Sequence, residues 1–226
     1  MLEVGAGLGL LAAWLRRQGA SIVLLEPGAG GFDENRRLVD AALEWLQASD
    51  ALLLSIRAED LDPQQHGEFD VIYSVNVLEH IPRLETAFEA MSRVLAPGGL
   101  MRHTCPNYAI PYEPHYGIPL LPFLPRLTAS LVPRIALDEL WCSLNFVTYD
   151  RIVRMCRRHG IECRFDGGLF ADAFERMDRD PAFRARRGRA VIAGQRMLRA
   201  SGMLPLIAAL PPRFATPMAF TCRRVR

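Results

Sequence analysis

Over the first 104 residues of this 226-residue chain, short apolar runs of strand length alternate with stretches of helical period. No other feature of the sequence restricts the fold as much. A strand, a crossover helix and a further strand, repeated, build a parallel sheet covered by helices. Leu2 to Val4 reads as the end of a strand, Leu8 to Gln18 as a helix stopped by Gly19, and Ser21 to Leu25 as a second strand. Glu34 to Gln47 reads as an amphipathic helix, Leu52 to Ile56 as a third strand and Phe69 to Ser74 as a fourth. Arg83 to Leu95 follows as a helix closed by Pro97-Gly98-Gly99, then Leu100 to Thr104 as a fifth strand. The expectation is a single domain over 1–226, long enough to bury a substantial core.

Residues 105–147 break the rhythm, with prolines at 106, 111, 114, 119, 122, 125 and 133 that forbid a long regular helix. An insertion of this length after a sheet strand is usually functional. Its segment Pro106 to Pro119 carries Tyr108, Tyr112 and Tyr116, which suit a substrate lid or pocket, with a loop packed for stability as the alternative. Regularity resumes with a helix from Tyr149 to His159 and a strand from Ile161 to Phe165. A helical elaboration over 168–212, centred on Pro181 to Ser201, precedes a last strand from Thr216 to Arg223.

All 27 residues counted as Lys+Arg are arginine, so Schiff-base and amine-nucleophile chemistry is excluded. Cys105, Cys142, Cys156, Cys163 and Cys222 are odd in number and widely spaced without a CxxC, and are expected to be reduced, mostly buried thiols. No metal site is expected, because His80, His103, Cys105 and His115 match no compact ligand spacing. The net charge of +2 conceals 10 Arg against 19 acids in residues 1–150 and 17 Arg against 6 acids in residues 151–226. The basic part reads as a solvated surface or as a face for an anionic partner. No charged-then-apolar leader precedes the first strand and no apolar run reaches bilayer length, so a cytoplasmic protein is expected.

The stretch Glu3-x-Gly5-x-Gly7-x-Gly9 follows the first strand, and Glu26 closes the second. A glycine loop at that edge lets backbone approach a nucleotide, and an acid after the next strand can hold ribose hydroxyls. The dinucleotide fingerprint GxGxxG would need glycine at position 10, where Leu10 stands. The loop with Glu26 instead resembles motif I of the class I S-adenosylmethionine-dependent methyltransferases. Three further stretches resemble that family in order: Arg57 to Leu61, Phe69 to Ile81 with its Val77-Leu78-Glu79-His80-Ile81, and Leu95 to Leu100.

The resemblance implies a Rossmann-like doubly wound α/β fold: a seven-stranded, mostly parallel sheet of order 3-2-1-4-5-7-6 with an antiparallel last strand. It also implies S-adenosylmethionine as cofactor. Glu3 would orient the loop, and Gly5, Ala6, Gly7 and Gly9 would admit the cofactor. Glu26 and Pro27 would lie at the ribose, Ala58 and Glu59 at the adenine, and Asn76 at the inner edge. In the plainer reading Glu59 is a helix-starting acid and Asn76 a turn residue. That family places helices before the first strand, whereas only Met1 to Val4 stand here, so a shortened chain with weakened cofactor enclosure is expected.

The implied reaction moves a methyl group to an oxygen or nitrogen of a small molecule, aromatic or lipid-like, by in-line displacement. A hydroxyl acceptor needs a base. His80 is placed for that task or packs the turn; His103 and His115 are further candidates on the same edge. A peripheral membrane contact is the sharper reading of the apolar stretches Ile118 to Val132 and Met203 to Leu210, with core packing as the alternative. Nucleic acid is not an expected partner. A non-catalytic cofactor-binding module and, further off, a nucleic-acid methyltransferase are the competing functions.

Overall fold

The computed structural model describes residues 1–28, 35–45, 52–186 and 188–224. Seven strands form the main sheet: β1 (Leu2–Val4), β2 (Val23–Leu25), β3 (Leu52–Leu54), β4 (Phe69–Val75), β5 (Leu95–Cys105), β6 (Ile161–Phe165) and β7 (Met218–Arg224). Their order is β3-β2-β1-β4-β5-β7-β6, with β1 to β5 parallel and β7 antiparallel to both β5 and β6. The doubly wound sheet and its order are as the resemblance implies.

Alternation along the strands divides the core in two. Leu25 and Ile72 join the large cluster, while their neighbours Leu24 and Tyr73 join a smaller one with Ala12, Ala13 and Val39. Helix α1 (Leu10–Arg17) lies against that second face through Ala12 and Ala13, and α2 (Asn35–Trp45) contributes Val39 and Leu43. Helix α3 (Leu84–Arg93) buries Leu84, Ala87, Phe88, Ala90 and Met91 in the larger cluster. Outer positions Glu34, Leu46 and Gln47 of the expected second helix lie outside the described residues.

Pro97-Gly98-Gly99 does not separate a helix from a strand. Strand β5 begins at Leu95 and runs through it, its pairing with β4 shifting between Phe69–Leu95 and Val71–Leu100. Gly98, at φ +79°, supplies the left-handed residue of this bulge, and a Cβ on Gly99 would stand 2.8 Å from the Asp70 carbonyl oxygen. The helical stretch expected over Pro181 to Ser201 is also divided. Helix α4 (Tyr149–Arg158) precedes β6, and after it come α5 (Leu169–Arg179), a short turn of helix at Pro181–Ala185 and α6 (Arg189–Ala200). Asp180 caps the middle piece, its carboxylate accepting from the Phe183 N–H at 2.8 Å, and Pro181 at the first turn starts a new axis. Buried Gln195 ties α6 to α5 by donating to the Phe174 carbonyl at 2.9 Å and to Asp178 at 3.0 Å.

Within 105–147, Tyr112–Glu113 and Ile118–Pro119 pair as a small hairpin, followed by short helical turns and a helix at Glu139–Ser143. Among the described residues no helix is long and apolar enough to cross a membrane.

Candidate active site

A cavity of about 600 Å³ opens at the carboxyl edge of β1, β2 and β4. Its walls come from the glycine loop (Val4, Gly5), the end of β2 (Leu25, Pro27), the turn after β3 (Arg57, Ala58, Glu59), the turn after β4 (Val77, His80, Ile81, Pro82) and the insertion (Glu139, Cys142, Ser143). This is where strand order reverses on either side of β1, the place doubly wound sheets bind ligands.

The loop is held by its own backbone: the Gly5 and Ala6 N–H groups both donate to the Leu25 carbonyl, at 2.8 and 3.1 Å. Gly5 has φ +70°, and a Cβ there would come within 2.5 Å of the Val77 side chain, so only glycine fits. Glu26 is buried and links loop to strand, its carboxylate accepting from the Gly7 N–H at 2.9 Å and the Gly28 N–H at 3.1 Å. A carboxylate offers about four lone-pair directions, so two remain for hydroxyl donors.

Gly5, Pro27, Ala58 and Glu59 therefore lie on the cavity wall, with Glu26 immediately behind it and Arg83 Nε 3.7 Å from Glu59. Glu3 stands back from the wall. It is buried in β1 opposite Tyr73, faces the backbone N–H of Ala12, and burial pushes its carboxyl up to about 7. Ala6 is packed in the smaller core and Gly9 caps α1. Asn76 does not line the cavity. It takes a left-handed turn at φ 54°, is exposed, and donates its N–H to Thr104, which swings Val77 over Gly5 instead.

On the acceptor side three groups converge. One ligand-capable atom each of Glu79, His80 and His115 lies within 4.8 Å of the other two. His80 Nδ1 is 2.8 Å from Ser143 Oγ, whose hydroxyl donates to the Leu140 carbonyl at 2.7 Å. The serine proton being spoken for, His80 carries its own proton on Nδ1 and its lone pair on Nε2. Burial, then the neighbouring His115, lowers its pKa to about 4, so the ring is neutral. His115 Nδ1 is 2.6 Å from Glu113, and this hydrogen bond raises its basicity. Glu113 is fully buried. Burial alone would raise its pKa, but His115, the Tyr116 N–H and the Tyr108 hydroxyl together hold it low.

Glu79 has zero exposure, and neither carboxyl oxygen has a hydrogen-bond partner among the described residues. Burial, only partly countered by His115, raises it to about 7. Asn145 fixes the whole turn: its side-chain amide donates to the Leu78 and Ile81 carbonyls at 2.6 and 2.8 Å, and its N–H donates to the Glu79 carbonyl.

His103 is displaced from the role expected for it. It lies two residues inside β5, wholly buried, with Nδ1 2.8 Å from Ser74 Oγ and its ring 5.4 Å from Phe220. Burial, with Arg102 adding to it, lowers its pKa to about 3. Nor do the tyrosines line the cavity: Tyr108 is buried on Glu113, Tyr116 packs edge-on to Trp141, and Tyr112 faces solvent. Glu139, Cys142 and Ser143 fill that wall; Cys142 was expected only as a reduced thiol and Glu79 only as part of the stretch Val77 to Ile81, and neither these nor Glu113 was expected to have a role at the site. The one available signal was Glu79, an acid inside the apolar run Val77 to Ile81.

The sheet and its glycine-loop cavity define an α/β protein that binds a nucleoside cofactor at the switch point. Comparison with known proteins narrows this. Residues 2–102 match the family model described as a methyltransferase domain. An uncharacterized protein of Mycobacterium tuberculosis is 34% identical over 205 residues, covering 87% of this chain and 69% of its own length. The ubiquinone biosynthesis O-methyltransferase of Colwellia psychrerythraea is 25% identical over 170 residues, covering 75% of this chain and 63% of the enzyme. Among solved structures, an S-adenosylmethionine-dependent methyltransferase of Mesorhizobium loti superposes with a TM-score of 0.59 at 16% identity, covering 99% of this chain and 90% of that one. The chain belongs to the class I S-adenosylmethionine-dependent methyltransferases. S-adenosylmethionine is the cofactor of that family.

Proposed function

We propose that this protein transfers the methyl group of S-adenosylmethionine to a hydroxyl oxygen of a small acceptor, with His80 as general base. The observation that carries the reading is His80 on the cavity wall, with ligand-capable atoms of Glu79 and His115 within 4.8 Å of its own. The cavity fits the cofactor: Gly5 leaves room where a side chain would collide, Glu26 keeps acceptor capacity for ribose hydroxyls, and Ala58 and Glu59 flank the place for the base. When bound, the cofactor supplies an electrophilic methyl carbon on a positively charged sulfur. The chain's own residues align the acceptor with it and exclude water.

A hydroxyl must lose its proton as it attacks, and neutral His80 receives it on Nε2 while Ser143 holds Nδ1. The imidazolium then formed sits beside Glu79, whose carboxylate offsets the new charge. His115, oriented by Glu113, packs its ring edge-on against His80. An amine that is already neutral would need none of these groups, which favours oxygen over nitrogen. The name of the Colwellia relative also states an O-methylation.

Incubation of the protein with methyl-labelled S-adenosylmethionine and matched phenol and aniline acceptors tests the reading. Label on the phenol series is the expected result, and label on amines alone would overturn the oxygen assignment. Calorimetry with S-adenosylmethionine separates the enzyme from a non-catalytic module; no heat of binding would sink the whole proposal.

A contact with anionic membrane is a second, separate reading. It is supported by the apolar side chains that the insertion turns outward: Phe123 fully exposed, Leu137 at 93%, and Leu124, Leu127 and Leu131 beside them in sequence. Such a surface would bring an apolar acceptor from the bilayer to the cavity.

A further inference from the structure

Three of the five cysteines, far apart in sequence, meet at the antiparallel edge of the sheet. Cys156 comes from α4, Cys163 from β6 and Cys222 from β7, and their sulfur atoms all lie within 4.8 Å of one another. Cys163 and Cys222 stand directly opposite each other in the β6–β7 ladder, and Cys156 Sγ lies 3.6 Å from Cys222 Sγ. Cys156 and Cys222 are buried, whereas Cys163 is half-buried, so the cluster is closed on the core side and open toward solvent.

We propose that Cys156, Cys163 and Cys222 bind one thiophilic d¹⁰ cation of the Zn(II) type, separate from the methyl-transfer cavity. Zinc–sulfur bonds of about 2.3 Å in tetrahedral geometry put sulfurs about 3.8 Å apart. Sulfurs 3.6 Å apart for Cys156 and Cys222, and all within 4.8 Å of one another, reach that spacing by small rotations about the Cα–Cβ bonds. Soft thiolates select such ions over magnesium or calcium. Binding replaces three S–H protons, which leave to solvent, with three metal–sulfur bonds, and a water from the open side supplies the fourth ligand. No electron changes hands.

Cys156 and Cys222 already stand within sulfur hydrogen-bonding distance, and either thiol can be the donor. Three thiols sharing so small a space also crowd one another, and a cation relieves this by making each a ligand. The ion would tie α4 to β6 and β7. Cys105, buried elsewhere, and Cys142, on the cavity wall, take no part.

The test is titration of the reduced full-length protein with Cd(II), under anaerobic conditions, following the thiolate-to-metal absorption band. One Cd(II) per chain should saturate the band, Zn(II) should displace it, and Zn(II) should raise the melting temperature. Cys163→Ser, at the half-exposed edge position where folding tolerates change, should weaken binding by at least about a hundredfold. Cys142→Ser should leave the band as it was. A band that survives in Cys163→Ser, or no band at one equivalent, would overturn the proposal. So would a cluster that only oxidises, read as a two-hydrogen mass loss with no retained metal.

Discussion

The cofactor wall and the acceptor wall of one cavity are built by opposite means. The cofactor wall is made of short stretches that follow strands of the parallel sheet: Gly5 directly after β1, Pro27 two residues after β2, and Ala58 and Glu59 in the turn after β3. Its specificity resides in the absence of side chains and in N–H groups held by neighbouring carbonyls and Glu26. The acceptor wall is made of side chains drawn from distant segments, His80 meeting Ser143 across 63 positions and His115 across 35. A ligand common to many proteins can be recognised by local backbone. An acceptor peculiar to one needs long-range assembly.

Five substitutions sharpen or break that contrast, beginning with the largest expected effect. His80→Ala should lower kcat by about 10²- to 10⁴-fold on a hydroxyl acceptor while leaving cofactor affinity unchanged in calorimetry. Equal loss of cofactor binding would erase the division between walls. Gly5→Ala should do the reverse and abolish measurable cofactor binding. Its steric clash and left-handed strain cost roughly 2–4 kcal/mol. Adding Val77→Ala should recover the steric part only, because φ +70° remains strained for alanine.

Glu79→Gln tests the acceptor wall through stability and pH. The folded carboxyl titrates at about 7 against an ordinary 4.5, so between these values the folded state holds the extra proton and stability falls as pH rises. Above about pH 7 the variant should be more stable than the parent by on the order of 3 kcal/mol, a gain that vanishes below pH 4.5 in thermal melts. Activity moves the other way. The parent's kcat should rise with pH through about 7 as Glu79 ionises beside His80, and the variant should lack that limb. A glutamine variant that is both less stable and equally active would make Glu79 a plain core residue. The smallest effect is reserved for the outer surface. Phe123→Asp should reduce sedimentation with anionic vesicles severalfold and leave turnover of a water-soluble acceptor intact, and unchanged sedimentation would remove the membrane reading.

The same contrast governs what could be read from the sequence. That a cavity would form at the glycine loop was legible because its determinants are local: the spacing of Gly5, Gly7 and Gly9, and the placing of Glu26 at a strand end, need no knowledge of the rest of the chain. The alternation of strands and crossover helices was legible for the same reason, each announcing its period, whereas the strand order came from the family resemblance. Pro97-Gly98-Gly99 misled because a bulge and a turn use the same residues, and only the pairing of Phe69 and Val71 on either side of them distinguishes the two. On the acceptor wall, His103 and His115 looked alike in sequence. One residue faces Ser74 inside the sheet and the other faces Glu113 beside the cavity, a difference set by strand register and by the hairpin at Tyr112–Glu113. Cys156, Cys163 and Cys222 were invisible as a group, because the antiparallel return of β7 alone brings the third to the other two.

Two asparagines bound the insertion. Buried Asn107 donates its side-chain amide to the Arg213 and Ala215 carbonyls and accepts from the Ala109 and Tyr149 N–H groups, while Asn145 clasps the turn after β4. Everything between them is therefore moored at both ends to framework that does not depend on what lies between. Such a segment behaves as an exchangeable cassette. Chimaeras joined at Asn107 and Asn145 should trade acceptor range between relatives while the framework keeps its folding and its cofactor, giving evolution a way to vary chemistry on one wall without renegotiating the other.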